Sequence, residues 1–248
     1  MAAYYNEIDK FAAQWLRSLI SAGHIAAGDV DERSIVDVKP LDLKGYTQCH
    51  FFAGIGGWSY ALRLAGWADN REAWSGSCPC QPLSCAGSQL GHADARHLWP
   101  AFHSLIGECK PPIVFGEQVA SKDGREWFSA VRADLEALGY AVGGADLCAA
   151  SVGAPHERQR LFWMADAAGE RGRRRASVEA RGREAARGSS PDVRAEPWPD
   201  GRSSLSTVAV TDVLTPSHGI PGRMGLLRGY GNAIVPQVAA EFIMALSD

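Results

Sequence analysis

A glycine turn joins an apolar strand pattern to an amphipathic helix in the run TQCHFFAGIGGWSYALRLAGW, residues 47–67. Its helical part places Trp58, Leu62 and Leu64 where they can pack against a sheet. A strand, turn and helix in this order let backbone amides and a helix N-terminus approach a ligand, as in α/β folds that bind nucleotide-like cofactors. A glycine turn alone does not identify a function, which must be inferred from the rest of the sequence.

Strand and helix patterns alternate along the chain after this turn. A short strand pattern starts at residue 72, and further strand patterns cover 112–115, 140–148 and 159–165. Helical patterns cover 98–109 and 124–138. Such alternation favours a mostly parallel sheet with helices on both faces. We therefore predict an α/β fold with a Rossmann-like sheet, whose functional loops follow the carboxyl ends of the strands.

Basic charge is concentrated in one part of the chain. The whole sequence holds 25 basic and 28 acidic residues, a net charge of −3, with the 46% hydrophobic content of an ordinary globular protein. Residues 156–228 nevertheless carry 13 Arg, no Lys and 9 acids, a net +4, which leaves −7 elsewhere. The planar fork of Arg suits phosphate and guanine recognition. The alternative is a solvated Arg-rich loop, since residues 166–204 contain almost no large apolar side chains.

Three of the six cysteines lie close together in the run Cys78-Pro-Cys-Gln-Pro-Leu-Ser-Cys85. We expect reduced thiols and a cytoplasmic protein without membrane contact, because the sequence shows neither a signal-peptide pattern nor a long apolar stretch. A zinc site would want paired ligands, and the prolines flanking Cys80 stiffen the loop against wrapping a metal. We predict no metal. The other functional interpretation is a nucleophilic thiol that those prolines hold at a defined angle.

Five short blocks follow one another in a characteristic order, and as a set they resemble the DNA cytosine-5 methyltransferases over about residues 48–246. The resemblance implies transfer of a methyl group from S-adenosylmethionine to carbon 5 of a cytosine that is flipped out of double-stranded DNA. The blocks are Phe52-Ala-Gly-Ile-Gly-Gly, Pro79-Cys-Gln-Pro-Leu-Ser, Gly116-Glu-Gln-Val, Gly153-Ala-Pro-His-Glu-Arg-Gln-Arg160 and Gly231-Asn-Ala-Ile-Val-Pro236.

The chemistry of this reaction accounts for the residue types in the blocks. Carbon 5 of cytosine is a poor nucleophile until a thiolate adds to carbon 6, which is the role of Cys80. The adduct also needs a proton at ring nitrogen N3, and Glu117 fits a buried acid with a raised pKa. The resemblance implies that Arg158 and Arg160 lie near the target, one of them orienting the cytosine carbonyl and a bound phosphate.

The resemblance further implies two sets of binding residues. The implied donor-binding residues are Phe52, Gly54, Ile55, Gly56, Gly57, Pro79, Asn232 and Ala233. The implied DNA-binding residues are Gln81, Ser84, Arg171, Arg173, Arg174 and Arg175.

The chain departs from the family pattern at three places. Gln118 stands where an asparagine is usual, and His156 stands where a glutamine is usual. Only 27 residues separate Phe52 from Cys80, an interval where the family normally has further strand and helix units with acids for the ribose and adenine of the donor. The acids within this interval are Asp69 and Glu72, and either could stand in for one of them. We therefore predict a shortened, truncated donor half.

A shortened donor half leaves three outcomes open. The site could bind S-adenosylmethionine in compact form, use another one-carbon donor such as methylene-tetrahydrofolate to give hydroxymethylation, or belong to a catalytically inactive DNA-binding relative. The DNA-reading segment is short as well, and Arg-rich coil grips phosphates without distinguishing sequences. We therefore expect relaxed specificity, and a monomer acting on double-stranded DNA in a bacterial or phage-infected cell.

Four segments follow from these patterns. Residues 1–46 are predicted to be an N-terminal helical extension, with a helix over 6–22 and an irregular connector over 28–44. Whether this extension contacts DNA or completes the core stays open. Residues 47–165 form the predicted catalytic domain, 166–228 the Arg-rich target-recognition segment, and 229–248 a C-terminal segment with a helix over 237–246.

Overall fold

A computed structural model describes residues 2–79, 98–154, 156–167 and 233–247. Seven strands and five helices lie within these ranges, together with short 3-10 turns. The strands are β1 (Ala2–Asn6), β2 (Gly28–Asp31), β3 (Tyr46–Phe51), β4 (Ala73–Gly76), β5 (Ile113–Val119), β6 (Ala141–Cys148) and β7 (Gln159–Asp166). The helices are α1 (Lys10–Ser21), α2 (Gly57–Leu64), α3 (Leu98–Cys109), α4 (Lys122–Ala137) and α5 (Pro236–Ser247).

All seven strands belong to one sheet in the order β2-β1-β3-β4-β5-β7-β6. The pairs from β2 to β5 are parallel, and β7 runs antiparallel to both of its neighbours. Helices α3 and α4 pack on one face, and α1, α2 and α5 pack on the other. Strands β3 and β4 are largely buried because both of their faces are covered. The predicted α/β fold with a mostly parallel, Rossmann-like sheet is confirmed.

The order of the strands along the chain differs from the usual Rossmann order. In that order the first strand carries the glycine turn, and the second and third strands lie outward of it on one side. Here the glycine turn follows β3, and the two strands that lie outward of it, β1 and β2, come earlier in the chain. Helix α2 therefore leads to β4 instead of β1. The sheet has the Rossmann arrangement with a circularly permuted connection.

This arrangement corrects the prediction for residues 1–46. The predicted extension holds a helix, as expected, but it also supplies two strands of the main sheet. Strand β1 lies inside the sheet, hydrogen-bonded to β2 on one side and to β3 on the other. The predicted truncation is likewise wrong, because the strand and helix units missing between residues 52 and 80 are provided by residues 2–31.

Local sequence explains where the helices begin. The carboxylate of Asp9 accepts hydrogen bonds from the backbone N–H groups of Phe11 and Ala12, and this capping contributes about 1 kcal/mol to the start of α1. Ser121 caps α4 in the same way through the N–H of Gly124. None of the helices in the described ranges is long and apolar enough to cross a membrane.

Strand β5 is longer than its sequence pattern predicts. The apolar residues end at Gly116, which placed Glu117 just beyond the strand, yet the strand continues to Val119. The reason is its partner β7, which stays paired with β5 as far as Val119 and Arg160. Glu117 and Arg160 are thereby held on adjacent strands.

Candidate active site

One groove runs along the carboxyl ends of the parallel strands. Its volume is about 500 Å³, and it is lined by residues that follow β1, β2, β3 and β4 and by the end of β5. Ligands of open α/β sheets bind at this edge. Of the predicted donor-binding residues, the groove lining includes Phe52, Gly54, Ile55, Gly57, Pro79 and Ala233.

The glycine turn after β3 is held in a conformation that suits glycine. Gly54 and Gly56 have φ values of +54° and +80°, which side chains rarely adopt. A Cβ atom on Gly54 would meet nothing within 4 Å, so the backbone is open to the groove. Gly56 faces the other way, because a Cβ there would lie 3.2 Å from side-chain atoms of Leu16 and Ile25. Gly56 thus packs against residues 16–25 and does not line the groove.

Glu7 is a groove residue that the sequence patterns did not reveal. It directly follows β1, and its Oε2 accepts a 2.7 Å hydrogen bond from the backbone N–H of Gly54. Its Oε1 accepts a 2.8 Å bond from the N–H of Asp9. An acid at the end of the strand beside the glycine-turn strand is the position that binds ribose in Rossmann folds. The signal was present in the sequence as an acid after a short apolar segment, but it lay ahead of the glycine turn.

Asp69 and Glu72 do not lie in this groove. Asp69 forms an ion pair with Arg63 at 2.7 Å, and the hydrogen bond from Arg63 lowers the pKa of its carboxyl. Glu72 is exposed and precedes β4, so it lies at the amino end of the strand, opposite to the groove. Neither acid lines the groove, so the prediction that one of them replaces a donor-binding acid is wrong.

The loop after β2 is shaped by Asn6. The side-chain amide of this buried residue donates to the carbonyl oxygens of Asp31 at 3.3 Å and Arg33 at 2.8 Å. The carbonyl of Asn6 in turn accepts from the N–H of Ala53 at 3.1 Å. Asn6 thus joins the ends of β1, β2 and β3 at one edge of the groove.

Glu117 lies at the opposite end of the groove. Its side chain is about 10% exposed, and its Oε1 lies 2.8 Å from Nε of Arg160. Burial raises the pKa of Glu117 above that of an ordinary glutamate, although the positive charges of Arg160 and Arg158 oppose this shift. The carboxyl can therefore stay protonated at a higher pH than a solvated glutamate. A general acid requires this property.

Arg158 connects two of the sequence blocks. Its Nη2 donates to the carbonyl of Ala233 at 2.7 Å, across 75 residues of chain. Its backbone has a φ of +27°, an unfavourable value for a residue with a side chain. Arg158 and Ala233 both line the groove, so the predicted grouping of Glu117, Arg158 and Arg160 is found in the structure.

Gln118 ties the end of β5 to the segment that leads to Cys80. Its Nε2 donates to the carbonyl of Cys78 at 3.3 Å, and its Oε1 accepts from the N–H of Val119 at 2.9 Å. The backbone pairing of β4 with β5 ends at Ser75 and Phe115, so this side chain bridges the strands where they separate. The longer arm of Gln118 thus makes two hydrogen bonds. His156, the other departure, is exposed and lines an adjoining cavity.

Several predicted site residues lie outside the described ranges. They are Cys80, Gln81, Ser84, Arg171, Arg173, Arg174, Arg175 and Asn232. The nearest described residue to Cys80 is Pro79, which lines the groove together with Glu117. The roles of all these residues stay predictions.

The chain is similar to one family model and to several Type II methyltransferases over part of its length. A family model described as C-5 cytosine-specific DNA methylase matches residues 68–187. The Type II methyltransferase M.AplI of Arthrospira platensis is 36% identical over 92 residues, which cover 36% of this chain and 27% of that protein. The Type II methyltransferase M.HhaI of Haemophilus parahaemolyticus is 25% identical over 169 residues, 52% of each chain. The chain thus spans about half or less of the length of these two relatives.

One solved structure aligns with part of the chain. A crystal structure of a Spodoptera frugiperda DNMT2 mutant aligns with 66% of this chain and 41% of its own, at 16% sequence identity and a TM-score of 0.47.

Proposed function

We propose that this chain is a C-5 cytosine-specific DNA methylase, the family whose model matches residues 68–187, and that it transfers a methyl group from S-adenosylmethionine to carbon 5 of cytosine in double-stranded DNA. The observation that carries this proposal is the buried Glu117, paired with Arg160 in the groove that Pro79 also lines. An acid of raised pKa beside the chain segment leading to a cysteine is the arrangement that thiol addition to cytosine needs.

The part of the groove formed by β1, β2 and β3 fits the proposed donor. The backbone N–H of Gly54 is hydrogen-bonded to the carboxylate of Glu7, so the glycine turn and the acid lie together at the edge where Rossmann sheets bind ribose and phosphate. We assign the ribose hydroxyls to Glu7 and the adenine or methionine part to Phe52. When bound, S-adenosylmethionine supplies an activated methyl group. The shortened interval before Cys80 no longer favours another donor or an inactive relative, because β1 and β2 complete this half of the sheet.

The proposed reaction uses the residues of the groove in sequence. The Cys80 thiolate adds to carbon 6 of the flipped base while the Glu117 carboxyl protonates N3, which makes carbon 5 an enamine nucleophile. Arg160 holds Glu117 and offers its remaining N–H groups to the cytosine carbonyl. Carbon 5 then takes the methyl group, which leaves S-adenosylhomocysteine. A water molecule accepts the proton from carbon 5, elimination of the Cys80 thiolate restores the aromatic ring, and N3 returns its proton to Glu117. A duplex with 5-fluorocytosine has no such proton to lose, so it should trap the protein covalently, whereas failure to trap it would contradict this mechanism.

Removing the charge of Glu7 should weaken donor binding. A hydrogen bond to a charged group contributes about 1.5–3 kcal/mol, so Glu7→Gln should raise the Kd for S-adenosylmethionine roughly 10- to 100-fold by calorimetry. Asp69→Asn is the matched control, because Asp69 pairs with Arg63 away from the groove and its loss should leave the Kd unchanged. If instead Asp69→Asn raised the Kd for S-adenosylmethionine and Glu7→Gln left it unchanged, Asp69 would be the residue that binds the ribose.

We also propose that DNA binding discriminates weakly between sequences. The segment 166–228 is short and rich in Arg, which binds phosphates whatever the base sequence. Affinities for a methylatable duplex and a scrambled duplex, measured at one salt concentration, should differ by less than about a thousandfold. A larger ratio would show that this segment reads bases.

A further inference from the structure

Ser59 lies where helix α2 meets strand β1 and the turn before β2. Its Oγ is 2.9 Å from the hydroxyl of Tyr5 and 3.2 Å from the backbone N of Ala26. The hydroxyl of Tyr5 is also 2.6 Å from the carbonyl oxygen of Ala26. All three residues are no more than 2% exposed, so these polar groups have no water to replace their partners.

The direction of each hydrogen bond in this ring follows from the groups present. The carbonyl of Ala26 can only accept, so the hydroxyl of Tyr5 uses its single proton to donate to it. Ser59 must then donate to the oxygen of Tyr5, while its own oxygen accepts from the N–H of Ala26. Every donor in the ring has one acceptor, and the three bonds close on themselves. Replacing one member leaves its partners buried and unsatisfied.

The permuted chain order gives this ring a particular importance. In the usual Rossmann order the helix after the glycine turn leads directly into the strand that ends in the ribose-binding acid. Here α2 leads to β4, so no short connection joins α2 to β1. The pairing of β1 with β3 aligns the strand ends that carry Glu7 and the glycine turn, whereas the position of α2 against β1 depends on contacts made by the side chains of α2. The hydrogen-bonded ring of Ser59 joins α2 to β1 and to the turn before β2.

Two neighbouring contacts also hold α2 and the glycine turn against residues 23–25. Arg63, one turn beyond Ser59 on α2, donates to the carbonyl of Gly23 at 2.6 Å. The Cα of Gly56 lies so close to Ile25 that an added Cβ would approach its Cδ1 to 3.2 Å. Ile25 directly precedes Ala26 of the ring. A shift of α2 relative to residues 23–26 would thus move the glycine turn away from Glu7.

We propose that Ser59 is a positioning residue for the methyl donor, which it serves by holding α2 against β1 so that Gly54 and Glu7 face the donor together. This inference rests on the proposed binding of S-adenosylmethionine to the groove. Ser59 touches neither donor nor cytosine and acts through Tyr5 and Ala26.

The test compares donor affinity in variants of two buried serines in the full chain. Ser59→Ala should raise the Kd for S-adenosylmethionine about tenfold and raise the donor KM in parallel, with kcat at saturating donor changed far less. Ser75→Ala is the matched control, because Ser75 is also fully buried and hydrogen-bonds His50 at 2.8 Å but does not join α2 to β1. It should lower the melting temperature and leave the donor Kd within about twofold.

Tyr5→Phe provides a second variant in case Ser59→Ala does not fold. It should also raise the donor Kd, and the double variant should show less than the product of the two single effects, because both changes break the same bond. Wild-type affinity in both single variants, or an equal loss in Ser75→Ala, would overturn the positioning role alone. If the wild-type protein does not bind S-adenosylmethionine, the proposed donor and this inference both fall.

Discussion

Replacing Cys80 by alanine should reduce kcat by about a millionfold, the scale of loss seen when an enzyme loses its covalent nucleophile. Without a thiolate at carbon 6, carbon 5 of cytosine does not become an enamine and cannot attack a methyl group. The measurement is incorporation of a labelled methyl group from S-adenosylmethionine into duplex DNA. The same variant should also fail to form a covalent adduct with DNA that contains 5-fluorocytosine.

Cys78 offers a matched control two residues away. It is 6% exposed, and burial raises the pKa of its thiol far above the ordinary value, so it holds almost no thiolate at neutral pH. Cys78→Ala should therefore keep its turnover and its adduct with 5-fluorocytosine DNA, apart from a loss of stability due to the removed buried sulfur. Substantial methylation by Cys80→Ala would refute the covalent mechanism.

Glu117→Gln should lower kcat by about 10²- to 10⁴-fold, because glutamine keeps the shape of the side chain but cannot donate a carboxyl proton to N3. DNA binding should change little, since the pocket keeps Arg158 and Arg160. Glu157→Gln is the control, because Glu157 is exposed in the neighbouring loop and its loss should leave kcat within a few-fold. Equal effects of the two substitutions would indicate general electrostatics instead of acid catalysis.

The pH dependence of turnover provides a second readout of Glu117. Burial raises its pKa, so the protonated acid persists to higher pH than in a solvated glutamate and is lost as the pH rises through the raised pKa. The wild-type rate should therefore fall on the alkaline side at a pH above the ordinary glutamate range. This limb should be absent in Glu117→Gln. An unchanged alkaline limb would assign it to another group.

Much of the site was predictable because its residues belong to compact sequence blocks. Glu117 directly follows the apolar strand pattern that forms β5, and Arg160 lies at the start of the strand pattern that forms β7, so antiparallel pairing of the two strands brings them together. The glycine turn and Pro79 likewise follow strands that are buried and have clear patterns. The spacing of apolar residues within a strand or helix does not depend on the order of the elements along the chain, so it predicts these elements even in a permuted fold.

The half of the sheet formed by β1 and β2 was not predictable from the same signals. Strand β2, GDVD, has four residues and little β propensity, and its structure depends on pairing with β1. The order of strands in a sheet is set by contacts between distant residues, which periodicity does not report. The sequence patterns therefore predicted a shortened donor half. The strands and the acid Glu7 that complete this half lie ahead of the glycine turn in the chain.

The most direct test of the account is mass spectrometry of nucleosides from duplex DNA after incubation with the full chain and S-adenosylmethionine. We expect 5-methylcytosine, formed only when S-adenosylmethionine is supplied and strongly reduced in Glu7→Gln at low donor concentration. Unmodified DNA from a folded protein at saturating donor, or 5-hydroxymethylcytosine formed only with methylene-tetrahydrofolate, would contradict it.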